Sequence, residues 1–382
     1  MSESYEELRI VKYLSGRAVH LGVPLMGTFE LTARCNLNCK MCYVHLSKDE
    51  VDKRGRELTA DQWLGIAEAA RAKGMLLMLL TGGEPLLRPD FEYIYTSLRK
   101  MGILVSINTN GTMVNDDVLR LFRAQPPARV NMSLYGATPE AYGRLCGDEA
   151  AFEKALSALR SMKALGLNVK INHSMTPHNY RDAKAVYDIA AAEGAHIQMA
   201  SYMFPAARCG EEHIGCGDRL SPKDSARLGV LYDRLRFSDE RFMLRAENMK
   251  KGIRQEEDDG CGGSPEMPPK EGERIFCRAG RSTFWMTWDG RMTPCGMINE
   301  PCVYPLEVGF DAAWDELRAK TTEIFLPPEC TSCPVRHACD VCAASCYTET
   351  GSFDGVPRYL CERTKEILRL TELEYQRIKE QN

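Results

Sequence analysis

Three cysteines within eight residues, Cys35, Cys39 and Cys42 in the stretch ELTARCNLNCKMCYVH, set the tightest limit on how this chain can fold. A loop with the spacing C-x3-C-x2-C can wrap its thiolates around one small inorganic object and little else. Closed structural zinc sites take four protein ligands, commonly as two separated pairs. Here three stand together, and His45 is the nearby stand-in for a fourth. Iron–sulfur clusters are held by clustered Cys thiolates, and an iron left without one can bind something else. Unrelated buried thiols need no such spacing. The spacing therefore predicts a three-thiolate cluster site.

The chain has 382 residues, more than one hydrophobic core usually serves, so two domains are expected. Hydrophobic residues make up 44% and charged residues 27%, the balance of a soluble globular protein. A net charge of -4 leaves no basic footprint for nucleic acid. No apolar run is long enough to span a bilayer, and MSESYEELRIVKYLSG is charged and helical in pattern rather than a signal peptide. A cytoplasmic location follows as the expectation. There the 16 cysteines point to metal rather than to disulfides. They are unevenly spread: after the first three only Cys146 occurs before Cys209, and ten crowd between Cys261 and Cys361.

Along the chain, LMGTFELT (25–32) reads as a first strand, with the cysteine loop directly after it. Thr59 and Gln62 form a capping-box pattern, and Trp63, Ile66, Ala67 and Ala70 lie on one helical stripe. MLLMLL (75–80) reads as a buried strand running into Thr81-Gly82-Gly83-Glu84-Pro85, whose glycines let backbone approach a ligand closely. Helices are then expected at 91–100, 114–122, 152–165 and 180–192, and strands at 103–108, 130–134, 169–173 and 196–202. Repeated βα units imply a parallel sheet with right-handed crossovers. Sites in such folds sit at the C-terminal ends of the strands. Polar strand-end residues, Asn108, Asn110, Ser133 and Asn172, are thus ligand candidates. Ser221 is expected to cap a helix to about Arg236, with another over 243–253 and a polar linker before Cys261.

The run CNLNCKMC followed one strand later by GGEP resembles the radical S-adenosylmethionine (radical SAM) family. The resemblance implies a partial (β/α)6 TIM-like barrel of class α/β. It implies that Cys35, Cys39 and Cys42 hold a [4Fe–4S] cluster whose fourth iron chelates S-adenosylmethionine. One electron from the cluster then yields a 5′-deoxyadenosyl radical, which abstracts hydrogen from substrate. Gly82, Gly83, Glu84 and Pro85 would grip the amino group of S-adenosylmethionine. Ser133 and Asn172 would reach its ribose or carboxylate, and Met199 and Tyr43 would lie against the adenine.

The second cysteine region holds Cys277, a hairpin FWMTWDGRMTPC turning at Asp289-Gly290 and ending at Cys295, then Cys330, Cys333, Cys339, Cys342 and Cys346, and Cys361. By number alone two [4Fe–4S] clusters and two zinc sites suit these thiols equally. The order, with Gly290-x4-Cys295 and C-x2-C-x5-C, resembles the SPASM extension of radical SAM enzymes, which carries two auxiliary [4Fe–4S] clusters. That pattern assigns Cys277, Cys295, an upstream Cys261 and one of the CAASC run to the nearer cluster. Cys330, Cys333, Cys339 and Cys361 go to the farther one. One of Cys342 and Cys346 is surplus; the expected ligand is Cys346. Cys302 and Cys146 are expected to be bystanders, and so are Cys209, His213 and Cys216. The expected divisions are a lead-in over 1–24, the barrel over 25–255, the SPASM domain over 256–362 and a C-terminal helix over 363–382.

SPASM-bearing relatives mostly modify peptides or proteins, so the resemblance implies an oxidoreductase that crosslinks or oxidises a peptide. It needs an external electron donor of flavodoxin or ferredoxin type. Formylglycine-forming sulfatase maturases place an Asp after the Cys of G-x4-C. Gly296 stands there and weakens a sulfatase-maturase reading. Few residues precede the first strand, so a separate leader-peptide-binding protein is a candidate partner. The same residues also leave room for a radical dehydrogenase of a small molecule such as an amino-sugar alcohol, and for a zinc or iron–sulfur scaffold without activity. Tyr135, His173, His213 and Glu84 are all conceivable bases.

Overall fold

The computed structural model describes residues 13–205, 218–254 and 277–381. Cys209, His213, Cys216 and Cys261 lie outside these residues. Six strands, β1 (Met26–Glu30), β2 (Leu77–Thr81), β3 (Leu104–Thr109), β4 (Arg129–Ser133), β5 (Val169–Ser174) and β6 (His196–Ala200), pair in parallel in that order. Helices fill the crossovers: α1 (Lys48–Arg54), α2 (Ala60–Ala72), α3 (Phe91–Lys100), α4 (Asp116–Ala124), α5 (Pro139–Cys146), α6 (Ala151–Ala164) and α7 (Ala183–Ala192). The expected βα alternation is observed, with strand ends shifted by at most two residues.

Local chemistry explains the elements. The α2 capping box forms as expected, with Gln62 N–H donating to the Thr59 hydroxyl at 3.3 Å and Thr59 N–H to the Gln62 amide oxygen at 2.9 Å. Its stripe of Trp63, Ile66, Ala67 and Ala70 is buried against β1, where the rings of Trp63 and Phe29 stand 4.6 Å apart. Alternation sorts each strand into two faces. Val105, Ile107, Val130, Met132, Val169 and Ile171 share one core with Leu98, Phe122 and Leu159 of the covering helices. Ser106, Asn108, Asn131, Ser133, Lys170 and Asn172 occupy the alternate positions and are half-buried.

β7 (Thr283–Met286) and β8 (Met292–Thr293) form the expected hairpin, turning at Gly290 with φ 90. β7 also pairs in parallel with β1, Phe29 opposite Met286, so the sheet has eight strands with β6 and β8 at its edges. The Cys-rich region is thereby built onto the strand that precedes the cysteine loop. After β6, α8 (Pro222–Arg236) starts at the Ser221 cap as expected. α9 (Asp239–Lys250) begins before position 243, because Ser238 accepts the Arg241 N–H at 3.3 Å. α10 (Phe310–Thr322) buries Trp314 beside Phe284. α11 (Ala343–Thr350) follows, and α12 (Arg358–Gln381) starts upstream of 363 and so carries Cys361. No helix among the described residues is long and apolar enough to cross a membrane.

Candidate functional site

The cysteine loop leaves β1 at its C-terminal end, and the glycine turn leaves β2 beside it. Leu31 N–H donates to the Thr81 carbonyl at 2.9 Å, Gly83 N–H to Thr32 at 2.8 Å and Glu84 N–H to Arg34 at 2.9 Å. A Cβ on Gly82 would meet the Thr32 carbonyl at 2.5 Å, and one on Gly83 the Arg34 carbonyl at 2.2 Å. Gly82 also has φ 151. The glycines therefore let two loops seat on each other. The Gly83 and Glu84 N–H groups are used in that seating.

Glu84 is fully buried. Its carboxylate accepts the Thr109 hydroxyl at 2.9 Å, the Asn110 N–H at 2.8 Å and the Leu86 N–H at 3.1 Å. Burial still pushes it up to about 7. With these partners it ties the end of β3 to the turn, which leaves it poorly placed as a base. Pro85, itself buried, opens a 3₁₀ turn, Pro85–Leu87. Asn110 then reaches the cysteines, with its amide nitrogen 3.7 Å from the Cys35 sulfur and 3.0 Å from the Asn36 side-chain oxygen.

Backbone donors meet two of the three sulfurs: Leu37 N–H lies 3.4 Å from that of Cys35, and His45 N–H 3.3 Å from that of Cys42. The neighbouring Cys146 thiol, together with burial, holds the Cys39 thiol far above the usual range. Burial pushes Cys35 up to about 12 and Cys42 up to about 11. Thiolates here need a cation to offset lost hydration. Among the described residues no three His, Cys, Asp or Glu side chains gather about one point as for a single ion. A cubane takes one thiolate per iron, so its ligands need not gather about one point. Sequence reasoning passes over Cys146 because nothing near it in the chain marks it; only the fold brings it to the loop.

The register places Ser133, Asn172 and Gln198 side by side on β4, β5 and β6. The Asn172 side-chain oxygen is buried with no partner among the described residues. Asn108 is engaged elsewhere: its amide donates to Thr81 at 3.3 Å and accepts from Asn131 at 2.9 Å. Ser133 hydrogen-bonds Tyr135, which burial raises well above its usual value. Tyr43 stands half-buried just after Cys42. Met199 is not with this group. It pairs in register with His173 and packs with Met175, Ala183, Leu220 and Leu228, on the face opposite Asn172, which corrects its assignment to the adenine. His173 donates from Nδ1 to the Leu134 carbonyl at 2.7 Å, and burial lowers its pKa.

The later cysteines form two groups. Cys330, Cys333, Cys339 and Cys361 line one cavity of about 150 Å³, rimmed by Arg336, Arg358 and Lys365. These cations oppose the burial that pushes Cys330 up to about 11 and raises Cys361. A cradle walled by four thiols and edged by positive charge fits an anionic cluster. The second group is Cys277, with Cys342 and Cys295 as its electrostatic neighbours. Cys342 caps α11, and its sulfur accepts the Ser345 N–H at 3.4 Å. Cys346, one turn further on, is 0% exposed among Leu326, Val341 and Leu360. Its nearest charged partners are Cys330, Cys342 and Cys339 rather than Cys277. Cys342 is thus an electrostatic neighbour of Cys277, while Cys346, the ligand expected from spacing, has Cys330 first among its own.

Residues 29–190 match the model of the radical SAM superfamily. The AdoMet-dependent heme synthase of Methanosarcina barkeri is 26% identical over 342 residues, 86% of this chain and 94% of that protein. The PqqA peptide cyclase of Streptomyces rochei is 31% identical over 185 residues, 48% of this chain and 50% of that protein, so the chain spans about half of this relative's length. A solved structure of anSMEcpe with bound AdoMet and the Cp18Cys peptide overlays with TM-score 0.65 at 17% identity, covering 92% of this chain and 98% of that one. The overlay agrees with the expected partial barrel. Over residues 29–190 this chain is thus similar to the radical SAM superfamily.

Proposed function

We propose that the chain is a radical SAM oxidoreductase with two auxiliary [4Fe–4S] clusters, acting on a peptide. The observation that carries this reading is the seating of the C-x3-C-x2-C loop on the Gly82–Glu84 turn at the C-terminal ends of β1 and β2. When bound, the cluster supplies the electron that cleaves S-adenosylmethionine. Cys35, Cys39 and Cys42 would hold it. The partnerless Asn172 oxygen accepts a donor of the nucleotide. Cys277, Cys295 and Cys342 hold the nearer auxiliary cluster, together with Cys261. Cys330, Cys333, Cys339 and Cys361 hold the farther one. The electrons come from a flavodoxin- or ferredoxin-type donor in the cytoplasm, and a separate protein carries the peptide's leader.

The peptide class draws support from the peptide cyclase relative at 31% identity. A second reading, a tetrapyrrole substrate, is favoured by the relative that matches almost end to end and is named a heme synthase. Anaerobically reconstituted protein is incubated with dithionite and S-adenosylmethionine, with peptides encoded beside its gene, and with tetrapyrroles. The peptide reading expects 5′-deoxyadenosine and a changed peptide mass. Turnover of a tetrapyrrole alone selects the second reading. Iron-loaded protein that leaves S-adenosylmethionine intact removes both.

A further inference from the structure

α12 lays one stripe against the cavity walled by Cys330, Cys333, Cys339 and Cys361, and Leu360, Cys361, Thr364 and Lys365 all line it. Residues three and four apart share a helix face, so Thr364 follows Cys361 along this stripe. Lys365 is exposed, whereas Thr364 is 1% exposed. The Thr364 hydroxyl oxygen has no hydrogen-bond partner among the described residues. A helical threonine ordinarily has one within reach, the carbonyl four residues back. Thr96, Thr321 and Thr348 use it, donating to Glu92, Leu317 and Ala344 at 2.8, 2.7 and 2.8 Å. Thr364 passes over the Leu360 carbonyl. A buried hydroxyl without a partner costs stability, and a group bound beside it removes that cost.

Sulfur is the acceptor that a cluster in this cavity would bring. The Cys333, Cys339 and Cys361 N–H groups are spent on the carbonyls of Cys330, Arg336 and Pro357. At the first cysteine loop, by contrast, the Leu37 and His45 N–H groups face the sulfurs of Cys35 and Cys42. The later group thus has a side-chain hydroxyl at its wall where the first has backbone donors. We infer that Thr364 donates its O–H to a sulfur of the cluster held by Cys330, Cys333, Cys339 and Cys361, and raises that cluster's reduction potential. A donor at sulfur stabilises the more negative, reduced state more than the oxidised one. In a buried setting of low dielectric the effect is strong. An electron shared between the two auxiliary clusters then rests on the farther one more often than it would without the hydroxyl. The inference rests on these four cysteines being cluster ligands, as proposed above.

The test compares reconstituted wild type, Thr364→Val and Thr364→Ser in a redox titration followed by electron paramagnetic resonance. The signal followed is the one that Cys333→Ala removes. Valine keeps the shape of the side chain without the donor, and serine keeps the O–H. The expected result is a reduction equilibrium about tenfold less favourable in the valine variant, which is 59 mV for one electron. Serine stays near wild type, and all three carry equal iron and sulfide. Electron–nuclear double resonance before and after exchange into heavy water reads the same contact directly. Wild type and serine are expected to show an exchangeable proton coupled to that signal, and valine to lack it. A valine variant with an unchanged midpoint overturns the inference and leaves the cluster assignment standing. A wild type without an exchangeable coupled proton does the same, even if the valine variant fails to fold. Wild type whose iron content and signals all survive in Cys333→Ala overturns the cluster assignment itself, and the inference with it.

Discussion

A Cβ added to Gly83 would stand 2.2 Å from the carbonyl oxygen of Arg34, one residue before the first cysteine of the loop. Neither atom is at the end of a flexible side chain, so the fit has no soft side. Gly83→Ala must push the glycine turn off the Thr32–Arg34 segment. Overpacking of this kind costs about 1–3 kcal/mol. The expected outcome is a lower urea midpoint and loss of S-adenosylmethionine binding by calorimetry, with the C-terminal cysteines still loaded with iron.

Glu84 gives the protein a pH signature. Its folded value, about 7, lies above the ordinary 4.5 because of burial. Between those values the folded state binds the proton better than the unfolded chain, so stability falls as pH rises through the window and levels off above it. One unit is worth 1.36 kcal/mol, so the span amounts to roughly 3 kcal/mol. Urea unfolding of wild type and Glu84→Gln at pH 5 to 8 checks this. The difference between the two profiles should carry the slope, since glutamine does not titrate.

The two cysteines of α11 should behave differently. Cys342→Ser is expected to lose the iron of one cluster and its signal. Cys346→Ser should keep its iron and lose about 1–3 kcal/mol, because the hydroxyl enters an apolar cluster without a partner. Iron and sulfide analysis separates the two outcomes.

Arg219 and Glu349 join the segment before α8 to the end of α11. The guanidinium donates to the carboxylate at 2.6 and 3.0 Å, lies 4.2 Å from the centre of the Tyr359 ring, and shares Glu349 with the Tyr202 hydroxyl at 3.0 Å. The Glu349 side chain is 8% exposed. Arg219→Ala strands that charge and should cost about 3–5 kcal/mol. The double variant with Glu349→Gln should recover part of the loss in thermal unfolding.

Much of this architecture is legible from local pattern. The Thr59–Gln62 box, the Trp63 stripe and the alternation of β3, β4 and β5 each follow from neighbours in the chain. What escapes depends on distant pairing. Nothing near Thr283 says that it will lie beside Met26, and nothing near Cys146 says that it will meet Cys39. Met199 falls on the other face because the register of β6 on β5 sets which face it occupies, and a one-residue change of register inverts every side chain. α5 does leave a signal, a Thr138 cap, Pro139 in its first turn and Gly147 after its end, which periodicity alone passes over. The choice between Cys342 and Cys346 turns on a helix start that spacing does not show.

The most direct measurement is the electron paramagnetic resonance spectrum of the reduced, anaerobically reconstituted protein with and without S-adenosylmethionine, in wild type and in the Cys35→Ala, Cys39→Ala, Cys42→Ala triple variant. The account predicts one wild-type signal that changes on adding the nucleotide and is missing from the variant, with the remaining signals unaffected. Iron-loaded wild type whose spectrum ignores the nucleotide, or a triple variant that still responds to it, would contradict the account.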